Sequence, residues 1–328
     1  MNVFRRQLLT ASLGLPLAGL ASLAACTRAE PQVRVAGIVW VGYEPLFLAR
    51  ELGYFNESRL RLVELPSNTA SLMALASGEV EAATLTLDEC LIAREGNLDL
   101  RAILVFDDSA GADVIMGRPD IKELRQVRGK RIGVEETAAG ALMLYKLLEA
   151  AGLGPKDVIK VPFTGDSQVT LYRSQQIDVV VSFEPYTTQL AKLGARRLLD
   201  SSRFPGLIVD VLVARADALE ASPEQFRQLT AGYFRALDFL QKSPAQAAPL
   251  MAPRQGISAD EVLQALRGVR MMDLPANRNW LTGTAPQLQP TARTVADIML
   301  QSGLLHAAPN LENLVDARFL PTSGAGAS

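Results

Sequence analysis

The sequence predicts an α/β fold. From residue 33 onward, short β-rich runs alternate with helical stretches, the order expected when parallel strands are connected by helical crossovers. Most of the runs lead directly into a helix-start signal. The length, 328 residues of which 48% are hydrophobic, suffices for a sizeable core and suggests about two domains or lobes.

Strands are predicted at 33–39, 60–65, 82–85, 100–105, 131–134, 158–161 and 178–181. Ser67-Asn68-Thr69 caps a helix that ends at Gly78, and Thr86 with Glu89 forms a capping box. Thr137 caps a helix running to Gly152, where glycine allows the left-handed turn. After Gly206 the texture changes: 208–213 is one more strand, and helices then dominate. Ser222-Pro223-Glu224 opens a helix with Phe226, Leu229, Tyr233, Leu237 and Leu240 on one face, and Ser258 with Glu261 opens another. Residues 322–328 form a small-residue tail that is expected to be disordered.

One internal echo bears on function. Tyr43-Glu44-Pro45 opens a helix ending at Leu52-Gly53, and Phe183-Glu184-Pro185 opens one ending at Leu193-Gly194. Each places an aromatic and an acid where a strand gives way to a helix, with proline at the first helical position. Plain helix-start chemistry explains either copy alone. Recurrence in the two halves suggests two faces of one cleft.

Composition narrows the function classes. The single histidine, His306, stands in a C-terminal stretch without a second histidine, which argues against a His-based metal site or a Ser-His triad. No P-loop, dinucleotide glycine fingerprint or nucleophile elbow is present, so neither a cofactor nor a catalytic residue is expected. Cys90 reads as a small buried hydrophobe.

The first residues read as a targeting segment. Arg5 and Arg6 precede an uncharged run from Leu8 to Ala25, and small residues lead to Cys26. This end resembles the lipobox of bacterial lipoproteins, which implies cleavage before Cys26 and a lipid on its thiol; the competing reading is a membrane-spanning helix. Arg5-Arg6-Gln7-Leu8-Leu9 also resembles a twin-arginine export signal. Without residues 1–25 the chain keeps 31 basic and 35 acidic side chains, a formal charge of −4, which disfavours a nucleic-acid partner. The expected layout is a signal peptide at 1–25 and an anchored linker at 26–32. The protein is then exported and held by lipid on the outer face of the cytoplasmic membrane or in the periplasm.

The stretch Trp40-Val41-Gly42-Tyr43-Glu44-Pro45-Leu46-Phe47-Leu48-Ala49-Arg50-Glu51-Leu52-Gly53-Tyr54-Phe55 is similar to the opening of substrate-binding proteins of the nitrate, sulfonate, taurine and bicarbonate class of ABC importers. Residues 75–83, 107–113, 128–134 and Phe183-Glu184-Pro185-Tyr186 resemble the same family, so the likeness runs from about 33 to 321. It implies the type II bilobal periplasmic-binding-protein fold: two doubly wound lobes joined by a two-crossing hinge, with extra C-terminal helices. One lobe would hold 33–110 with 208–321 and the other 111–207, with hinge crossings near 109–112 and 206–210. A small solute would bind between the lobes, at the carboxyl ends of strands, and be delivered to an ABC permease.

The family name suggests an oxyanion, but the residues expected at the cleft argue otherwise. Segments 40–45, 66–70, 86–90, 107–112, 135–140, 164–168 and 182–187 contain no Lys, Arg or His and carry many carboxylates. A bare oxyanion there would meet like charge. Asp88 and Glu89 read as helix-start acids, as do Glu135 and Glu136 before the Thr137 helix. The expected binding residues are Trp40, Tyr43, Glu44, Asn68, Thr86, Asp107, Asp108, Ser109, Thr137, Asp166, Phe183, Glu184 and Tyr186. Carboxylates beside aromatic rings suit a cationic amine or a flat nitrogen heterocycle. The alternatives are an oxyanion ligand, a sensory receptor serving a membrane signalling protein, and an enzyme on the same bilobal fold. Export and the shortage of general-base histidines weigh against the enzyme.

Overall fold

A computed structural model describes residues 31–165 and 167–322. The expected signal peptide, the expected lipidation site Cys26, Asp166 and residues 323–328 lie outside the described residues.

In chain order the strands are β1 (Val33–Gly37), β2 (Leu60–Glu64), β3 (Ala82–Thr86), β4 (Leu100–Ser109), β5 (Asp113–Gly117), β6 (Arg131–Glu135), β7 (Ile159–Phe163), β8 (Val179–Phe183), β9 (Arg196–Asp200), β10 (Val209–Arg215) and β11 (Val269–Met271). The helices are α1 (Glu44–Glu51), α2 (Asn68–Ser77), α3 (Leu87–Glu95), α4 (Ala138–Ala151), α5 (Ser167–Arg173), α6 (Tyr186–Lys192), α7 (Ala216–Ala221), α8 (Pro223–Lys242), α9 (Pro244–Gln255), α10 (Ala259–Ala265), α11 (Leu274–Leu281) and α12 (Leu288–Ser302).

Two sheets result. The first has the order β11-β4-β10-β3-β1-β2 and the second β7-β6-β8-β5-β9. Where strands alternate with helices they run parallel, as expected: β1 with β2 and β3, and β6 with β7 and β8. The expectation of parallel pairing fails at β5 and β10, which run antiparallel to both of their neighbours. The reason is connectivity. The chain enters the second sheet through 110–112 and leaves it through 201–208, with no α-helix between consecutive strands to reverse its direction. Strands β5, β9 and β11 were not anticipated from the sequence.

Local signals form where their residues predict them. Ser67 Oγ accepts from Ala70 N–H at 3.2 Å and Thr137 Oγ1 from Gly140 N–H at 3.1 Å, while Gly78 and Gly152 close α2 and α4 in the left-handed conformation. The periodic face of α8 is buried through Phe226, Leu229, Tyr233, Leu237 and Leu240. Proline sits in the first turn of α1 but precedes α6, where Pro185 follows a cis peptide bond. Among the described residues no helix is long and apolar enough to cross a membrane.

The crossings are tied to each other. Ser109 and Ser201 hydroxyls meet at 2.8 Å, and Gly111 N–H donates to Ser201 Oγ at 2.8 Å. The two lobes also touch across their gap. Trp40 and Phe183 pack edge to face with centroids 5.9 Å apart, Thr69 Oγ1 donates to Glu136 O at 2.6 Å, and Lys192 pairs with Glu261 at 2.6 Å.

Candidate functional site

The carboxyl ends of β1, β3, β6 and β8 and the N-termini of α2, α3 and α4 converge on one cleft, a narrow cavity of about 40 Å³. Antiparallel return places the first residues of β5 and β10 at the same end. Register sets Asp210 opposite Thr86 and Asp113 opposite Phe183. Aromatic and aliphatic walls come from Ile38, Trp40, Tyr43, Met143, Val181, Phe183 and Ile208.

Of the residues expected from sequence, Trp40, Tyr43, Asn68, Thr86, Thr137 and Phe183 line this cleft. Others are placed elsewhere, each by a specific partner. Glu44 is buried but points at α9, where it pairs with Arg254 Nη1 and accepts from Gln255 Nε2 at 2.6 Å. Asp107 lies behind the cleft wall, accepting from Trp40 Nε1 at 3.4 Å. Asp108 accepts from Gly206 N–H at 3.1 Å and stands 3.4 Å from Arg270, so it joins the crossings. Ser109 is held in the hinge by Ser201. Glu184 accepts from Thr188 N–H at 3.2 Å and lines a separate groove on the hinge side. Tyr186 packs edge to face on Phe183 at 5.3 Å, one ring removed from the cleft.

Four lining carboxylates were not among the expected binding residues: Glu89, Asp113, Glu135 and Asp210. The sequence marks Glu89 and Glu135 as helix-start acids, and each does serve a backbone amide. Glu89 accepts from Thr86 N–H at 3.1 Å and Glu135 from Gly165 N–H at 3.1 Å. Both nevertheless reach the cavity. Asp113 and Asp210 carry a signal that was available in the sequence, an acid opening an otherwise apolar strand, but the antiparallel return that aims them at the cleft was not predicted.

The electrostatics follow from burial without cations. Among the described lining residues none is Lys, Arg or His. Burial pushes Asp113 and Glu135 up to about 7 and Glu89 and Asp210 well above the usual carboxylate range. Behind the wall, burial takes Asp107 to about 8 and Asp88 to about 6. The Tyr43 hydroxyl donates to Asp210 Oδ1. Four buried lining oxygens have no hydrogen-bond partner among the described residues, Asn68 Oδ1, Glu89 Oε1, Asp113 Oδ2 and Ser182 Oγ, while Asp210 shares a hydrogen bond with the Asp107 carboxyl behind it. Unpaired buried acceptors are costly unless something else supplies donors.

Gly42 fixes the back of this wall. A Cβ there would stand 2.1 Å from Asp107 Oδ2 and 2.3 Å from Trp40 Nε1. Gly42→Ala is therefore expected to push Trp40 from its seat, lowering stability by about 1–3 kcal/mol. Thermal unfolding and the emission wavelength of tryptophan would both register the change; an unaltered spectrum would contradict the packing described.

Fold and cleft together define the two-lobed fold of the periplasmic-binding-protein type. The family described as NMT1/THI5 like matches residues 40–247, well over half of the chain, and the chain belongs to that family. A Brucella abortus protein, described only as a candidate binding protein, is 25% identical over 161 residues, 46% of this chain and 49% of the relative; the match thus spans about half the length of the curated relatives. The alkanesulfonate-binding protein SsuA from Xanthomonas axonopodis pv. citri, bound to MOPS, superposes with TM-score 0.73 at 19% identity, over 88% of this chain and 99% of that one. The ligand-binding component of an ABC-type import system from Staphylococcus aureus, with zinc bound, gives 0.72 at 16%, over 88% and 98%. The desulfurization enzyme DszB gives 0.63 at 17%, over 88% and 98%, so the fold is shared with an enzyme as well as with binding proteins.

Proposed function

We propose that this protein is an exported solute-binding lipoprotein, anchored at Cys26, that captures a small organic solute between lobes 33–110 with 208–321 and 111–207 and delivers it to an ABC permease. The solute is amine-bearing or a nitrogen heterocycle. The observation that carries this reading is the set of unpartnered acceptor oxygens in a cleft whose described lining offers no cationic side chain. A solute rich in N–H donors satisfies those oxygens, and a positive charge offsets the carboxylates. Trp40, Tyr43 and Phe183 supply faces for a flat or cationic group. A sulfonate, as carried by the SsuA neighbour, would meet Asp113 and Asp210 without a countercharge. Catalysis has less support than binding, because the hydroxyl hydrogen-bonded to a cleft carboxylate is the Tyr43 phenol on Asp210, and burial opposes its ionisation.

The test is a thermal-shift screen of the chain after Cys26 against amines, amino acids, polyamines, aminopyrimidines, sulfonates and nitrate. Solute at a hundredfold over its dissociation constant adds about 2.7 kcal/mol, which raises the unfolding temperature by several degrees. Asp113→Asn and Glu135→Gln are each expected to weaken the amine or heterocycle hit by about 10-fold or more, the worth of a charge-assisted hydrogen bond. Stabilisation by sulfonates or nitrate alone would overturn the assignment, and a stable product after incubation would restore the enzyme reading.

A further inference from the structure

The cleft carboxylates come from both lobes. Glu89 and Asp210 belong to the side of the first sheet, Asp113 and Glu135 to the side of the second, and all four line one cavity. Burial raises Glu89, Asp107 and Asp210, and like charge across the cleft adds to it, from Glu135 on Glu89 and from Asp113 on Asp107 and Asp210.

The groups packed around them add like charge more than countercharge. On α3, Asp88 is fully buried beside Glu89; on β4, Asp107 stands behind the wall; the Tyr43 and Tyr233 phenols face Asp210 and Asp107. The nearby cations are engaged elsewhere: Arg270 stands against Asp108, and Arg94 donates to the Leu100, Asn310 and Glu312 carbonyls. Buried, unpartnered Asn68 Oδ1 and Ser182 Oγ line the same cavity, so the acidic cluster faces a space with further free acceptors and not merely itself.

Opening would separate these charges and return water to them, while closure brings them together where water is excluded. We propose that the carboxylates shared between the lobes are a charge gate: they hold the solute-free cleft open, and closure follows when a cationic solute or protons neutralise them. This deepens the binding reading above and rests on its cleft. Asp113 and Glu135, both pushed up to about 7 by burial, put the proton-driven branch of the gate within reach of mild acid. At neutral and higher pH, a permease that responds to the closed form would then be spared signals from empty protein.

Small-angle scattering of the solute-free protein tests this without any ligand. The radius of gyration, about 19 Å for a compact chain of this length, is expected to fall between about pH 8.5 and about pH 5.5 as the lobes close. The variant carrying Asp113→Asn and Glu135→Gln is expected to be compact already at the higher pH. Equal radii for the unaltered protein at both values overturn the gate, as does a folded variant that stays as expanded as the unaltered protein at high pH. Should the variant not fold, the pH comparison on the unaltered protein decides alone. Failure of the two readings is separable: a pH-driven closure with no amine ligand found removes the solute class and leaves the gate, whereas amine binding without any pH response removes the gate alone.

Discussion

Arg254→Ala is expected to cost about 3–5 kcal/mol of stability, the range for uncovering one partner of a buried ion pair. Arg254 serves four groups on the α1 side of the first lobe. It pairs with Glu44, which is 1% exposed, its Nε meets Glu64 at 2.7 Å, and its Nη2 donates to Ile38 O at 2.6 Å. Its guanidinium also lies over the Phe47 ring, 3.4 Å from the centroid. Truncation would leave the Glu44 carboxylate buried with only the Gln255 amide among these partners. Burial already raises the Glu44 pKa and Arg254 opposes that rise, so losing the arginine favours a neutral Glu44 or a locally opened α9. Urea denaturation measures the loss. Adding Glu44→Gln to Arg254→Ala is expected to recover a large part of it, because no buried charge then remains. A single-variant change below about 1 kcal/mol would falsify the account, since surface ion pairs are worth that little. Glu44→Gln alone should leave solute affinity unchanged, because its carboxylate is turned away from the cleft.

That reversal shows what the sequence could and could not convey. Helix starts at Ser67, Thr137 and Ser258 were legible because a cap is a local bargain between a side chain and an amide three residues on. Most strand positions are legible for the same local reason, with β5, β9 and β11 the exceptions, and so are the aromatic walls at Trp40, Tyr43 and Phe183. The Tyr-Glu-Pro and Phe-Glu-Pro echoes form different junctions: Tyr43 ends a 3-10 turn and Pro45 lies in the first turn of α1, whereas Phe183 ends β8 and Pro185 precedes α6 after a cis peptide bond. Where their acids point is decided by partners far away in sequence: Arg254 claims Glu44 from 210 positions away, while Glu184 turns to the amide of Thr188. Asp113 and Asp210 are not legible as cleft residues in the sequence, because local pattern predicts a parallel β10 and no β5. Chain reversal at the two crossings moves both acids to the cleft end, and it is a property of the whole topology. The expectation of an acidic, cation-poor cleft survives, although carried largely by different carboxylates.

The solute-free protein is expected to lose stability as pH rises from about 4 to about 8, the opposite of the usual carboxylate behaviour. Unfolded Asp and Glu titrate near 4. In the folded chain burial holds Asp88 at about 6, Asp113 and Glu135 at about 7 and Asp107 at about 8. Between these limits the folded state binds more protons than the unfolded state, so the unfolding free energy falls with pH, by up to about 1.4 kcal/mol per unit for each group in its window. The stabilisation is fully present below the unfolded values and is lost as pH passes through the folded ones. Opening of the lobes lets water reach some of these groups, so the slope belongs chiefly to those behind the wall. Asp107→Asn isolates one of them. The amide keeps an acceptor for Trp40 Nε1 and has no charge to bury, so the variant should match the unaltered protein in acid and exceed it by on the order of 2 kcal/mol above about pH 8. Thermal midpoints across this range measure both curves; a flat or rising profile for the unaltered protein would remove the buried-carboxylate account. A cationic solute should flatten the same profile, because it supplies the positive charge that a proton supplies to the empty cleft. Its stabilising shift is accordingly larger above about pH 7 than below, whereas a neutral heterocycle that only donates hydrogen bonds gives a shift with weaker pH dependence.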